Sequence, residues 1–317
     1  MIFDKPIIGI GACLVGQKVR FNGQSKRQNS HIQAIAALST LNAFCPEMAI
    51  GMGVPRETVR LVGALGETRL KDSATQSIDY TGPMQGYAEE VVSRNPDMAG
   101  YILVKESPSC GMDRVKRYND KGNVVLNDSM GIFAAELNRI DPLLPLEEDG
   151  RLNDAGLREN FVARVYSYHD WKQFNKEQLT HVGLLKFWSR YKYLTLSHDV
   201  PAYKAIGRLL SNAKALPLHE AAEEFIRLLM GALTKLATRK THTNVLQHIQ
   251  GYLKNDIKAS DKREIDTIIA QYRVGTVPLV VPITMLRHHF MHHAKSYIAQ
   301  QVYMEPYPQQ LSLRNFI

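Results

Sequence analysis

Lys105-Glu-Ser-Pro-Ser-Cys-Gly111 is the stretch whose reading decides the fold of the first half of this chain. It follows Gly100-Tyr-Ile-Leu-Val104, an apolar run of large and β-branched side chains that reads as a short buried strand. A helix-like segment, Met84–Ser93, and an Asn95-Pro96 break come before that run. Cys110 is therefore expected just past a strand end, in a glycine-ended turn. Cys13 comes after Pro6-Ile-Ile-Gly-Ile-Gly-Ala12, and Cys45 follows the amphipathic Ser30–Leu41 segment and opens Cys45-Pro-Glu47. In a parallel α/β sheet the loops leaving the carboxyl ends of strands converge on one crevice. Three thiols far apart in sequence are expected to meet there.

Around these cysteines, residues 1–150 alternate short apolar runs with helix-like segments, and Gly9, Gly11, Gly16, Gly23, Gly51, Gly53 and Pro55 mark the junctions. That is the pattern of an α/β domain, Rossmann-like with a mainly parallel sheet. Gly9-Ile-Gly11 is a weak dinucleotide signal, because no third glycine opens a helix. Asn29 or Ser30 caps a helix expected to run to Leu41, and Gly131–Leu137 reads as the closing helix. The prolines and acidic residues of Pro142–Gly150 read as a linker or exposed crossover.

From residue 151 to 317 the apolar residues recur three and four apart, as in Phe161, Val165, Tyr168 and in Leu179, Val182, Leu185, Trp188. This half is expected to be all-α. Its helices are placed at Val200–Ser211, His219–Leu236, Thr243–Lys254, Asp261–Tyr272 and Pro278–His293.

The formal charge of +8 is unevenly divided. Residues 1–160 hold 18 Lys and Arg against 20 Asp and Glu, a net of −2, whereas 161–317 hold 21 against 11, a net of +10. Such asymmetry points to a polyanion, most often nucleic acid, held by the second half. Basic and aromatic residues interleave in Lys186–Tyr193 and again in Arg287–His293, a mixture suited to phosphates and unpaired bases. No apolar run approaches the roughly 18 residues of a membrane span, and a cytoplasmic location is expected. Three cysteines make a disulfide framework improbable and leave metal, cluster or thiol chemistry.

A structural zinc site usually takes four ligands in closely spaced pairs, and this chain has no C-x-x-C. His31 is the one nearby candidate for a fourth ligand. An iron–sulfur cluster held by only three thiolates keeps an iron open to a substrate atom, and sulfur suits such a metal. Glu47 and Ser107 flank two of the cysteines and would put a carboxyl and a hydroxyl beside that iron. Each also has a structural reading: Glu47 as the partner of Arg56, Ser107 as the residue that shapes the Pro108 turn.

Ala12-Cys-Leu-Val-Gly16 with Arg20-Phe-Asn-Gly23, Cys45-Pro-Glu47 with Pro55-Arg56, and Ser107-Pro-Ser-Cys-Gly111 together resemble the thiouracil desulfidase (TudS) family over residues 5–150. Residues 165–315, with Thr180–Phe187, His198-Asp199, Pro201–Lys204 and Arg287-His-His289, resemble the YbgA-like helical domain. The fusion is similar to bacterial desulfidases that remove 4-thiouridine from tRNA. The resemblance implies a [4Fe-4S] cluster on Cys13, Cys45 and Cys110, with the thiocarbonyl sulfur bound at the fourth iron. It implies catalytic roles for Glu47 and Ser107. Phe21-Asn22 departs from the family's more frequent Tyr-Asp and removes a carboxylate there.

On this reading the chain is a non-redox C–S hydrolase that converts 4-thiouridine in tRNA to uridine and releases sulfide. Glu47 is expected to transfer the proton and Ser107 to orient water or a ring carbonyl. The RNA-binding candidates are Arg190, Lys192, Lys204, Arg208, Arg287 and Lys295, on a basic surface expected to open toward the cysteines. The alternatives are the same chemistry on free thiouracil or a thiolated nucleotide, and a non-catalytic cluster protein that binds RNA or senses redox state.

Overall fold

The structure is a computed structural model that describes residues 4–26, 29–177, 179–212, 215–293 and 296–317. It divides into two compact units, one spanning Asp4–Asp154 and one spanning Ala155–Ile317.

The first unit is an α/β domain built on β1 (Ile7–Gly11), α1 (Ser30–Ala37), β2 (Thr40–Phe44), α2 (Pro46–Ala49), β3 (Val59–Val62), β4 (Arg69–Asp72), α3 (Thr81–Arg94), β5 (Met98–Leu103), β6 (Val115–Tyr118), β7 (Val124–Ser129), α4 (Ile132–Ile140) and β8 (Leu146–Glu148). Its main sheet runs β2-β1-β5-β8 with every pairing parallel. All six residues of β5 are buried, as a parallel strand covered on both faces requires. Met84, Ala88 and Val91 of α3 and Phe133, Ala134 and Leu137 of α4 are buried. Tyr101 of β5 meets Phe133 edge-on at 5.6 Å. The chain lays β2 to one side of β1 and β5 to the other, so the strand order reverses at the β1/β5 pair. That reversal is where open α/β sheets leave a crevice for ligands.

Three features differ from the sequence reading. The helix that starts at Ser30 ends at Ala37, and Thr40–Phe44 is a strand paired with β1, so Cys45 follows a strand and not a helix. Pro142–Gly150 is not an exposed linker: it contains β8, whose three residues are buried against β5. The two glutamates that make this segment look solvated are satisfied inside. Glu147 accepts from Arg151 Nε at 2.6 Å, and Glu148 accepts from the backbone N–H of Met112 at 2.9 Å. Finally, a second sheet of order β4-β3-β6-β7 stands beside the parallel one, with β3–β6 parallel and the outer pairs antiparallel. Its strands are short and charged. In Val115-Lys-Arg-Tyr118 a core position is held by Arg117, whose guanidinium is matched by Asp128 at 2.8 and 3.0 Å.

The second unit is helical: α5 (Ala155–Glu177), α6 (His181–His198), α7 (Val200–Ser211), α8 (Leu218–Leu233), α9 (Arg239–Gln250), α10 (Ala259–Val274), α11 (Val280–His292) and the short α12 (Ser296–Ala299). The side chains of Thr180, Asp199 and Thr238 cap α6, α7 and α9. Trp171, Phe174, Phe187 and Phe225 form an aromatic core with ring centroids 4.9 to 5.9 Å apart. Among the described residues no helix is long and apolar enough to cross a membrane.

Candidate active site: a thiol-lined cavity

Each cysteine is delivered by the end of a parallel strand. Cys13 sits in the turn Ala12–Val15 directly after β1, Cys45 is the residue between β2 and α2, and Cys110 lies in the loop after β5. All three are free, and all three line one cavity of about 370 Å³ together with Glu47 and Ser107. Apolar wall is supplied by Val19, Phe44, Pro46, Val104 and Pro108. His31 is not among the lining residues.

The loop that carries Cys110 is fixed by close backbone approach. The N–H of Gly111 donates to the Ser107 carbonyl at 2.7 Å, and a Cβ on Gly111 would come within 2.8 Å of that same oxygen. A Cβ on Gly131 would sit 2.5 Å from the Ser109 carbonyl. No side chain larger than hydrogen fits at either position without moving the cysteine. Ser107 Oγ accepts from the backbone N–H of Ser109 at 3.3 Å and of Cys110 at 3.1 Å, so it shapes the turn.

Glu47 is held on both oxygens. Oε2 accepts from Arg56 Nε at 2.8 Å and from a second Arg56 nitrogen, and Oε1 accepts from Ser109 Oγ at 2.7 Å. Arg56 is buried to 4 % exposure and also donates to the carbonyls of Gly53 and Val19, both at 2.8 Å. Val19 O accepts from the Cys45 thiol as well, at 3.8 Å. Arg56 therefore ties the loop after Cys13 to the segment that carries Cys45 and Glu47. The pairing of Glu47 with Arg56 was legible in the sequence. Ser109 was not singled out there, although it lies inside the deciding stretch.

Burial pushes the Cys13 and Cys45 thiols above their usual range. Lys26 opposes the rise at Cys13, and the backbone N–H of Met48 opposes it at Cys45. Cys110 is pushed well above, by burial first and then by the negative charges of Glu47, Cys45 and Cys13. Burial thus favours the neutral thiols, and a bound cation would favour their thiolates. Among the described residues no three His, Cys, Asp or Glu side chains group as ligands of a single metal ion. The cysteines of a cluster each bind a different iron, so their sulfurs stand further apart than the ligands of one ion. Three soft donors at one cavity, with no histidine or fourth cysteine lining it, fit a cluster better than they fit a zinc ion.

Of the RNA-binding candidates, Lys204 and Arg208 are exposed one turn apart on α7. Arg190 pairs with Asp170 at 2.9 Å and Arg287 with Glu305 at 3.1 Å. Lys192 lies over the rings of Tyr193 and Tyr297. Lys295 lies outside the described residues. Tyr191 is core: it is buried, stacks on Phe187 at 4.5 Å and donates to Asp170 at 2.7 Å.

The α/β unit opens its thiol-lined cavity at the topological switch point of a parallel sheet, the place where such sheets bind ligands. More particularly, residues 8–149 match the family model described as 2-thiouracil desulfurase, and residues 192–308 match a family described as a protein of unknown function, DUF1722. The chain is a fusion of a thiouracil desulfurase domain and a DUF1722, YbgA-like, domain. It is 27 % identical over 158 residues to the uncharacterized protein YbgA of Escherichia coli (strain K12), across 50 % of this chain and 94 % of that protein. A solved structure titled a [4Fe-4S]-dependent thiouracil desulfidase, TudS, is 28 % identical and aligns over 47 % of this chain and 94 % of its own, with a TM-score of 0.38.

Proposed function

We propose that this protein removes sulfur from a thiolated pyrimidine, replacing C=S by C=O with release of sulfide, and that its substrate is 4-thiouridine in tRNA. The observation that carries the reading is the meeting of Cys13, Cys45, Cys110, Glu47 and Ser107 at one cavity, inside the residues that match the desulfurase family. Cys13, Cys45 and Cys110 would hold a [4Fe-4S] cluster, which supplies an iron without a protein ligand as a Lewis acid for the substrate's sulfur.

The chain's own residues account for the rest. Water adds to the thiolated ring carbon while Glu47 takes one of its protons, the C–S bond breaks as the remaining hydroxyl becomes the new carbonyl, and the proton on Glu47 and the hydroxyl proton both leave with the sulfide. The atoms balance as one water consumed and one hydrogen sulfide released, with no net electron transfer. Arg56 and Ser109 aim the Glu47 carboxylate so that its proton transfer occurs at a fixed place. Ser107 sets the position of Cys110.

The tRNA part of the proposal rests on the net charge of +10 over residues 161–317 and on the exposed pair Lys204 and Arg208. The whole reading is tested by nucleoside analysis of 4-thiouridine-containing tRNA after anaerobic incubation with the reconstituted full chain. Uridine should replace 4-thiouridine.

A further inference from the structure

We infer that the N-terminal unit has its own docking groove for the phosphodiester chain flanking the thiolated nucleotide, formed by the face of the second sheet. The location of that nucleotide rests on the desulfidase reading.

A cavity of about 650 Å³ lies on this sheet and shares Thr58, Val59, Glu106 and Pro108 with the cysteine cavity. The two cavities therefore adjoin at these residues. Three cations line the second cavity, Arg60, Arg114 and Lys116, and Glu106 is the one carboxylate among its lining residues. This local excess runs against the charge of its own half of the chain, which is −2 over residues 1–160. Along β6 the burial alternates, leaving Lys116 exposed and Tyr118 half-exposed on one face. The guanidinium of Arg60 lies 5.4 Å from the Tyr118 ring centroid and donates to the Ser73 carbonyl at 2.5 Å. Arg60 Nε is buried and makes no hydrogen bond among the described residues. The Arg114 side chain is 80 % exposed, and its ion pair is with its own neighbour Asp113 at 3.6 Å, a contact that leaves its charge available.

Backbone geometry marks the same place independently. Glu106 and Arg114 have φ of 61° and 56°, the left-handed region that residues other than glycine seldom occupy. Such conformations gather at ligand clamps.

Arginine and lysine beside the hydroxyls of Thr58 and Ser73 are the usual donors to phosphate oxygens, and an Arg60–Tyr118 platform suits a base lifted from its stack. An acidic polypeptide would meet the same cations. Adjacency to the cavity that would receive the nucleotide, and the aromatic platform, favour RNA.

The test uses the full chain, anaerobically reconstituted, with R114E/K116E as the variant and Lys121→Glu as a control on the exposed β6–β7 turn outside the groove. The probe is a short single-stranded oligoribonucleotide carrying one 4-thiouridine, with free 4-thiouridine as the small substrate. R114E/K116E should bind the oligonucleotide roughly tenfold more weakly and lose about 0.7 from the log–log salt slope for each phosphate contact removed. Its turnover of free 4-thiouridine and its melting temperature should match the wild type, and Lys121→Glu should bind RNA normally. Unchanged oligonucleotide affinity and salt slope in R114E/K116E would overturn the groove while leaving the desulfidase reading intact, as would an equal loss in Lys121→Glu. If the wild type binds the oligonucleotide through these residues but desulfidates no substrate of either size, the groove stands and the desulfidase reading falls.

Discussion

Arg56 holds Glu47 through two guanidinium nitrogens, one of them Nε at 2.8 Å, on the wall of the cavity that contains all three thiols. The arrangement separates two consequences of altering Glu47. Glu47→Ala leaves a nearly buried guanidinium without its counter-charge, a loss on the order of 3 kcal/mol in stability. Glu47→Gln keeps one acceptor oxygen for Arg56, and its amide NH2 can donate to Ser109 Oγ, but it cannot take a proton. Glu47→Gln is therefore expected to lose less stability than Glu47→Ala, because Arg56 keeps a hydrogen-bond acceptor, and to retain cluster absorbance with turnover lowered by roughly 10²–10⁴. Full turnover in Glu47→Gln would remove Glu47 from proton transfer.

Ser107 is tied to structure more closely than the motif alone indicates. Ser107→Ala strips the acceptor from the N–H groups of Ser109 and Cys110, costing about 1–3 kcal/mol, and releases the loop that positions the third thiol. Iron content per chain should fall along with turnover, and Ser107→Thr should restore both. A Ser107→Ala protein with full iron content and impaired turnover would assign Ser107 to the substrate instead.

Two buried histidines make the helical unit sensitive to acid. Burial pushes His242 well below its ordinary value and His198 below it, with Arg314 acting in the same direction on both. His242 Nδ1 is 3.1 Å from Tyr303 OH, and His198 Nδ1 is 2.6 Å from the Lys235 carbonyl. Because the folded-state values lie below the unfolded value of about 6.5, the unfolded chain binds more protons between them. Stability is full above that value and is lost as pH falls through it toward the folded-state values. Both tryptophans, Trp171 and Trp188, lie in this unit, so urea unfolding followed by tryptophan fluorescence reports it. The midpoint should drop between pH 7 and pH 5. A midpoint that stays level over that range would contradict the assignment.

Charge reversal at Lys204 and Arg208 tests the part given to the helical unit. The double variant should weaken tRNA binding and reduce its salt dependence while free 4-thiouridine is turned over normally. Equal effects on both substrates would make that surface structural support.

Much of this site was legible before any coordinates. Cys13 and Cys110 follow apolar runs that can only be buried strands, and the alternation of helix and strand brings such ends to one crevice. Cys45 was harder to place because Ser30–Leu41 keeps a helical period past the point where the chain turns at Ser39 into β2. β8 was hidden by Glu147 and Glu148, whose burial depends on Arg151 and on the Met112 N–H. The second sheet was hidden by Arg117, whose match with Asp128 forms only once β6 and β7 pair. In each case a charged residue buried by a partner elsewhere in the chain defeats a hydrophobic pattern read locally. The same reason hid Ser109, whose importance comes from Glu47, 62 positions away.

The most direct measurement of the central claim is the fate of a single thiolated nucleoside in a cluster-loaded protein. Full-length protein is reconstituted anaerobically, its iron is counted, and it is mixed with 4-thiouridine-containing tRNA without any reductant. Uridine and free sulfide are then quantified together. The account predicts uridine and sulfide in equal amounts, and neither product with Cys13→Ser, Cys45→Ser or Cys110→Ser protein. Unchanged 4-thiouridine in the presence of fully loaded wild-type protein would contradict it.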